Sequence, residues 1–224
     1  MKAIVFDAGT LINLSMNGLL YLLADLKKAF KGNFLITDQV KYEVIDRPLK
    51  IKRFQLGAMR VKNLYEEGIL ESPTVLGIKP KDIKKQTKEL MQIANNAVFA
   101  RKKPIRVVSE GETSCLALSS LLKQKKVENM IAVDERTIRI LSEKPENLQT
   151  IMERKLHHEV EMSQPNFEAF KGFKFIRSSE LVYIAFKKGF LELDGRESLE
   201  AALYATKFKG AAISYDEIEI LKKM

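Results

Sequence analysis

The sequence predicts an α/β fold built on a mostly parallel central sheet of five strands. Two observations predict it. Short apolar runs of strand length alternate along the chain with longer segments whose leucines recur at helical spacing. The clearest of those runs, Ala3-Ile4-Val5-Phe6, is continuously apolar, as in a strand covered on both faces. The length of 224 residues sits at the top of the single-domain range, so one domain with insertions is expected. A hydrophobic fraction of 46% excludes wholesale disorder.

Ala3 to Phe6 forms the first predicted strand and ends at Asp7, with Gly9 just after. Leu11, Leu14, Leu19, Leu22, Leu23, Leu26 and Phe30 then read as one helix, closed by Gly32-Asn33. Phe34 to Thr37 is the second strand. Asp38 is expected to cap a helix carrying Tyr42, Glu43, Val44 and Ile45 before Pro48. Two helices follow at about 51–67 and 80–100, around the turn-rich Ser72-Pro73 and Gly77. Ile105 to Val108 is the third strand, and Ser109-Glu110-Gly111-Glu112 opens a helix through Leu116, Leu118 and Leu122. Met130 to Val133 is the fourth strand, ending at Asp134, and Phe173 to Ile176 the fifth. From Ser178 the chain reads as short helices split by Gly189, Gly195 and Gly210.

Composition narrows the function. One Cys excludes a disulfide framework and a Cys-rich zinc site, and the only two His are adjacent, His157 and His158. The two read as a surface helical stretch, and Cys115 as a small core residue. Any metal must be held mainly by oxygen, which favours Mg²⁺ or Mn²⁺. No apolar run is long enough to span a membrane. No signal-peptide pattern opens the chain, because Asp7 falls where its apolar region would lie. A soluble, cytoplasmic protein without a membrane partner is expected. The net charge of +9 is local. Residues 48–106 hold 14 Lys+Arg against 5 Asp+Glu, while the rest of the chain holds 24 of each. A basic patch of this kind points to a polyanionic partner, with Lys84, Lys85, Lys88, Arg101, Lys102 and Lys103 as candidate nucleic-acid contacts. The alternative is an ordinary solvated helical face.

Acids stand at four successive strand ends: Asp7, Glu43 early in the helix after the second strand, Glu112, and Asp134 with Glu135 behind it. Ligands of an open parallel sheet bind outside the carboxyl ends of the strands. Carboxylates gathered there repel one another unless a cation joins them. Each has a plainer reading. Glu112 fits a capping box with Ser109, Asp134 fits a helix cap before Glu135, and Glu43 fits a surface helix. Asp7 is hardest to dismiss, since an ionised group after four apolar strand residues is costly without a partner.

Val5-Phe6-Asp7-Ala8-Gly9-Thr10-Leu11-Ile12 resembles the opening motif of the PIN-domain family, a strand with an Asp and a Ser or Thr three positions on. Ile36-Thr37-Asp38-Gln39-Val40-Lys41-Tyr42-Glu43-Val44 resembles its second motif, Gly111-Glu112-Thr113-Ser114-Cys115-Leu116-Ala117-Leu118 its third, and Ile131-Ala132-Val133-Asp134-Glu135-Arg136 its fourth. Gly210-Ala211-Ala212-Ile213-Ser214 is similar to many members' ends. The resemblance covers roughly 1–47, 104–142 and 172–224, and Val133 stands where Thr is frequent. It implies a single three-layer α/β/α PIN-like domain over 1–224, with a basic helical insertion at about 48–103 and a second at about 143–171. It also implies a metal-dependent endoribonuclease that leaves 5′-phosphate and 3′-hydroxyl ends and uses Mg²⁺ or Mn²⁺. Asp7, Glu112 and Asp134 would be metal ligands. Glu43 would serve the attacking water, Glu135 a second ion or the water, and Thr10 would support Asp7. RNA is the implied partner and a homodimer a family-level expectation; an antitoxin partner is left open.

Three rival readings stand beside this one. Phe-Asp-Ala-Gly-Thr-Leu also looks like the first motif of haloacid-dehalogenase-type phosphatases. That chemistry needs a second Asp two positions after Asp7, and Gly9 stands there. A catalytically silent PIN-like RNA-binding module is weakened by the retained acids. A toxin ribonuclease of a toxin–antitoxin pair would share the chemistry, but such toxins are usually more compact.

Overall fold

A computed structural model of the chain describes residues 1–163, 167–193 and 195–224. Strand β1 (Lys2–Phe6) buries its last four residues, and Asp7 caps the helix after it, α1 (Ala8–Met16). The single helix expected through Phe30 is two. Gly18, at φ +71°, turns the chain before α2 (Leu22–Phe30), a conformation that costs glycine little. After β2 (Asn33–Leu35), Thr37 rather than Asp38 caps α3 (Asp38–Lys41), its hydroxyl accepting from the Val40 amide. This helix runs directly into a π-helical turn, Tyr42–Asp46.

The basic segment holds α4 (Lys52–Glu66) and α5 (Pro80–Asn95). The second helix stops at Asn95, short of the expected 100. The chain then forms a hairpin of β3 (Val98–Ala100) and β4 (Lys103–Pro104), joined by Arg101 and Lys102. Both turn residues have positive φ, +50° and +61°, as a tight type I′-like hairpin requires. Helix α6 (Glu110–Gln124) leads to β5 (Glu128–Ala132) and then α7 (Arg136–Glu143) and α8 (Leu148–Leu156). His157 ends α8 in a left-handed conformation, so the His157-His158 pair lies past the helix rather than on it. The chain closes with β6 (Glu161–Met162), β7 (Phe175–Ile176), α9 (Ser178–Lys187), α10 (Arg196–Phe208) and α11 (Tyr215–Lys223).

The parallel sheet has four strands in the order β2-β1-β5-β7, not five. The run Ile105–Val108 does not join it. The Val107 and Val108 amides are both taken by the Asn95 side chain, at 2.8 and 3.1 Å, and the Ile105 amide by the Val98 carbonyl, at 3.0 Å. A side-chain acceptor has satisfied the backbone donors that a sheet ladder would otherwise use. The opposite edge is lengthened by Glu71, whose backbone bridges Leu35 through 2.8 and 3.0 Å bonds. A second, antiparallel sheet, β4-β3-β6, joins the two expected insertions at 48–103 and 143–171, so they meet rather than project separately; residues 164–166 of the second lie outside the described part.

One main core surrounds the parallel sheet, with Phe6 and Phe34 packed at 5.1 Å between ring centroids and both fully buried. Each such side chain contributes roughly 1.5–3 kcal/mol by leaving water. A smaller core of Leu199, Leu203, Ala211, Ile213 and Ile218 sits under α10 and α11. Among the described residues, no helix is long and apolar enough to cross a membrane. The chain runs from β1 outward to β2 and later returns to β5 on the other side of β1. The strand order thus reverses direction between β1 and β5, where Asp7 and Asp134 leave the sheet.

Candidate active site

Asp7 follows the last residue of β1, and its amide is tied to the Ala132 carbonyl of β5 at 2.9 Å. Its carboxylate accepts from the Gly9 amide at 3.0 Å and is 5% exposed. Burial, then the neighbouring Glu112 and, more weakly, Glu43, push the Asp7 carboxyl up to about 7; the Gly9 and Ala8 amides oppose them. Thr10, one turn into α1, is fully buried, and its hydroxyl oxygen has no hydrogen-bond partner among the described residues.

Glu43 and Glu112 act on Asp7 through their charge, from two other elements that a buried contact locks together. The hydroxyls of Thr37, at the start of α3, and Ser114, on α6, lie 2.7 Å apart, and Ser114 donates to the Gly111 carbonyl at 2.6 Å. The π turn after α3 aims Glu43 at the start of α6. Its carboxylate is held by Gln39 at 2.7 Å and rests on Gly111, where an added Cβ would stand 2.7 Å from one oxygen. Gly111 is therefore a close-approach glycine. Glu112 does form the capping box with Ser109, accepting from its amide at 2.8 Å while the Ser109 hydroxyl accepts from the Glu112 amide at 3.2 Å. Burial first, and the charge of Glu135, raise the Glu112 carboxyl, opposed by the Ser109 bonds and by Lys155.

Asp134 is 4% exposed, and both its oxygens are occupied. One accepts from Asn13 Nδ2 at 2.9 Å and the other from the Ser178 amide at 2.8 Å. Burial raises its carboxyl; Ser178, Asn13 and the charge of Arg177 oppose that shift. The helix cap expected of Asp134 belongs to Glu135. Its carboxylate accepts from the amides of Thr137 and Ile138 and from the Thr137 hydroxyl, and pairs with Lys155 at 3.2 Å.

The structure thus joins Asp7, Glu43 and Glu112 into one electrostatic group, links Glu135 to it through Glu112, and ties Asp134 into a separate hydrogen-bonded post. Cys115, buried behind them as expected of a core residue, registers the same field. Burial and the charges of Asp7, Glu112 and Glu43 push its thiol well above its ordinary value. The donor set suits a hard divalent cation, being carboxylate oxygens beside an unpaired buried hydroxyl. The side chains are not drawn together, however. Among the described residues no group of three or more His, Cys, Asp or Glu is placed to hold a metal ion; Gln39, Ser109 and the α7 amides hold Glu43, Glu112 and Glu135.

A cavity of about 300 Å³ opens beside this group, where α3, α5 and α6 begin. Gln39 and Ser114 line its inner side and Lys81 and Lys84 its outer side. Lys84 is therefore the expected basic contact that lines this cavity. Lys85 and Lys88 are exposed farther along α5, while Arg101, Lys102 and Lys103 are exposed on the hairpin rather than on a helical flank. Asn13, Ser178 and Gln39, which position the acids, escape sequence reasoning. Asn13 alone leaves a trace, as a polar residue between Leu11 and Leu14 on the apolar side of its helix. No protein-family model, no curated protein and no solved structure matches the chain significantly.

Proposed function

We propose that the protein is a metal-dependent endoribonuclease with a PIN-like, three-layer fold. The observation that carries this reading is the buried Asp7 carboxylate, raised by burial and by the charges of Glu112 and Glu43, which come from two other elements to the carboxyl edge of a parallel sheet. A cluster of this kind costs folding energy, and a cation is the partner that recovers it. Asp7, Glu43 and Glu112 are the residues that would hold Mg²⁺ or Mn²⁺, while Asp134, its oxygens taken by Asn13 and Ser178, braces the edge beside them. When bound, the ion supplies Lewis-acid activation of the phosphodiester and of the attacking water.

The chain's own residues do the rest. Burial keeps bulk water from the Asp7 carboxylate, and the Gly9 amide fixes its orientation. Gln39 fixes Glu43, leaving its second oxygen over Gly111 to orient a water. Lys81 and Lys84 draw phosphate toward an edge whose carboxylates would otherwise repel it. The hairpin cations Arg101, Lys102 and Lys103 add attraction without sequence preference.

The test is cleavage of a labelled single-stranded RNA in Mg²⁺, Mn²⁺ or EDTA by the wild type and by Asp7→Asn. Divalent-dependent cleavage, lost in Asp7→Asn and leaving 5′-phosphate ends, is expected. Cleavage that persists in EDTA, or that Asp7→Asn retains, overturns the reading. A second reading, a silent RNA-binding module, is favoured by one observation: Glu112 and Glu135 already serve as helix caps. It predicts RNA binding with no cleavage in either metal.

A further inference from the structure

A second cleft, larger than the first at about 970 Å³, lies where α7 and α8 face the end of α10 and the start of α11. It starts at the carboxyl edge of the sheet. Arg136 is two residues past Asp134, and the Ala212 amide on its far wall donates to the Asp134 carbonyl at 3.1 Å. Six cations line it, Arg136, Arg139, Lys144, Arg154, Arg177 and Lys207, against Glu143 and Glu217. Few of those charges are spent on the acids. Arg177 holds Glu217 at 2.8 Å and Glu180 at 2.7 Å, Lys207 donates to the Ile213 carbonyl, and Arg139 lies a loose 3.8 Å from Glu143. The side chains of Arg136, Lys144 and Arg154 make no hydrogen bond or ion pair among the described residues. The buried Nε atoms of Arg139 and Arg177 likewise have no hydrogen-bond partner among the described residues, and Arg177 as a whole is buried.

Aromatic side chains stand at the rim. Phe208 lines the cleft yet is 72% exposed, and it stacks on Tyr204 with centroids 6.2 Å apart and planes 23° apart. Tyr215, 56% exposed, also packs on Tyr204, with centroids 6.0 Å apart, and carries Lys207 Nζ 4.3 Å over its ring. A groove with three unpaired cations and a solvent-facing aromatic is what a flexible polyanion with flat bases needs: phosphates follow the charges and a base covers the ring. The basic surplus of residues 48–106 plays no part in this arrangement, because every residue that lines the cleft lies between 136 and 217.

We propose that this cleft binds a single-stranded nucleic acid, with phosphates along Arg136, Lys144 and Arg154 and a base stacked on Phe208. The inference names the strand's path into the site proposed above, and it rests on that reading only for RNA being the natural strand.

Fluorescence anisotropy with labelled uridine and thymidine oligomers, in EDTA so that nothing is cut, tests it across a salt titration. Lys144, Arg154 and Phe208 are all exposed, so their substitution spares the core. Lys144→Gln with Arg154→Gln is expected to flatten the log–log salt slope by about 1.4, two phosphates' worth on a single strand. Phe208→Ala is expected to weaken binding roughly tenfold with the slope unchanged, and Phe208→Tyr to restore it. Tighter binding of the uridine oligomer, or equal binding of both, supports the groove. If these variants bind like wild type while Lys84→Gln with Lys85→Gln flattens the slope, the strand runs over α5 and the inference falls, with the nuclease reading intact. Cleft-dependent binding without divalent-dependent cleavage would instead overturn the nuclease reading alone. A wild type that binds neither oligomer overturns the cleft.

Discussion

Asp7 and Asp134 leave adjacent parallel strands at the same edge, and both are almost fully buried, yet their surroundings are opposite. Asp134 has a nitrogen donor on each oxygen and Arg177 nearby. Asp7 has the Gly9 amide on one oxygen and two carboxylates as neighbours. The difference teaches that one end is built to be complete without a ligand, while the other is left with unsatisfied charge. Asp134 works as a structural post joining β5, α1 and α9; Asp7 is where a cation has something to offer.

The sharpest way to break this comparison is to make the same change at both ends. Asp7→Asn removes a charge from a repelling group while its amide oxygen can still accept from Gly9 and its NH₂ can donate to the neighbouring carboxylates. In metal-free buffer at neutral pH it is expected to stabilise the fold, by up to about 4 kcal/mol for a carboxyl shifted from 3.8 to about 7. Asp134→Asn must turn its NH₂ toward either Asn13 or the Ser178 amide, both donors, and is expected to cost roughly 2 kcal/mol. Urea unfolding of the two variants measures both, and shifts of the same sign would dissolve the distinction.

Acidity sharpens it further. Folded Asp7 holds its proton more tightly than unfolded Asp7, so the wild type loses stability relative to Asp7→Asn as pH rises from 3.8 to about 7. Below that window the carboxyl is neutral in both states and its penalty is absent; above it the gap is constant. Unfolding midpoints of the two proteins across this range are expected to diverge with rising pH, and parallel curves would place Asp7 in an unstrained setting. Millimolar Mn²⁺ is expected to close the gap by stabilising the wild type alone, since only an intact Asp7 gains from the ion.

Gly111 tests the reach of the Asp7 group. Its Cβ would meet Glu43 at 2.7 Å, but the obstacle is the end of a flexible side chain, which can swing away. Gly111→Ala in the first turn of α6 is therefore expected to keep stability within about 1 kcal/mol of wild type, helped by helix propensity. It is also expected to lower cleavage strongly by displacing Glu43. Wild-type cleavage in this variant would remove Glu43 from the catalytic group.

How much of this was legible in the sequence depends on how local each cause is. Asp7 announced itself, because an acid ending an apolar strand is expensive wherever the strand lies. The Ser109–Glu112 capping box was equally plain, being closed within one turn. The false fifth strand was not, because Ile105–Val108 has strand composition and lost its place to one carboxamide oxygen, that of Asn95. The Arg101–Lys102 hairpin hid because its turn uses neither Asn nor Gly, the residues that usually mark one. Which of two adjacent acids caps α7 could not be read from order alone, and the structure chose Glu135 over Asp134. The cationic cleft was invisible because its walls, α7 with α8 and α10 with α11, are about sixty residues apart in the chain and each is unremarkable in charge.

The smallest effect separates the two roles of Glu112, cap and candidate ligand. A capping box accepts Gln as readily as Glu at its fourth position, since the carbonyl oxygen still receives the Ser109 amide. Glu112→Gln therefore keeps the cap, removes a charge that burial and Glu135 already disfavour, and is expected to leave stability unchanged or slightly raised. Ser109→Ala does the reverse. It strips the acceptor from the Glu112 amide, costs about 1 kcal/mol, and leaves the carboxylate in place. If Glu112 belongs to the reactive group, RNA cleavage is expected to collapse in the more stable variant and to survive in the less stable one. Thermal melts paired with initial cleavage rates in Mn²⁺ read both quantities on the same preparations. Should Glu112→Gln cleave at the wild-type rate, Glu112 is a helix cap and nothing more, and Asp7 and Glu43 are left as the catalytic pair.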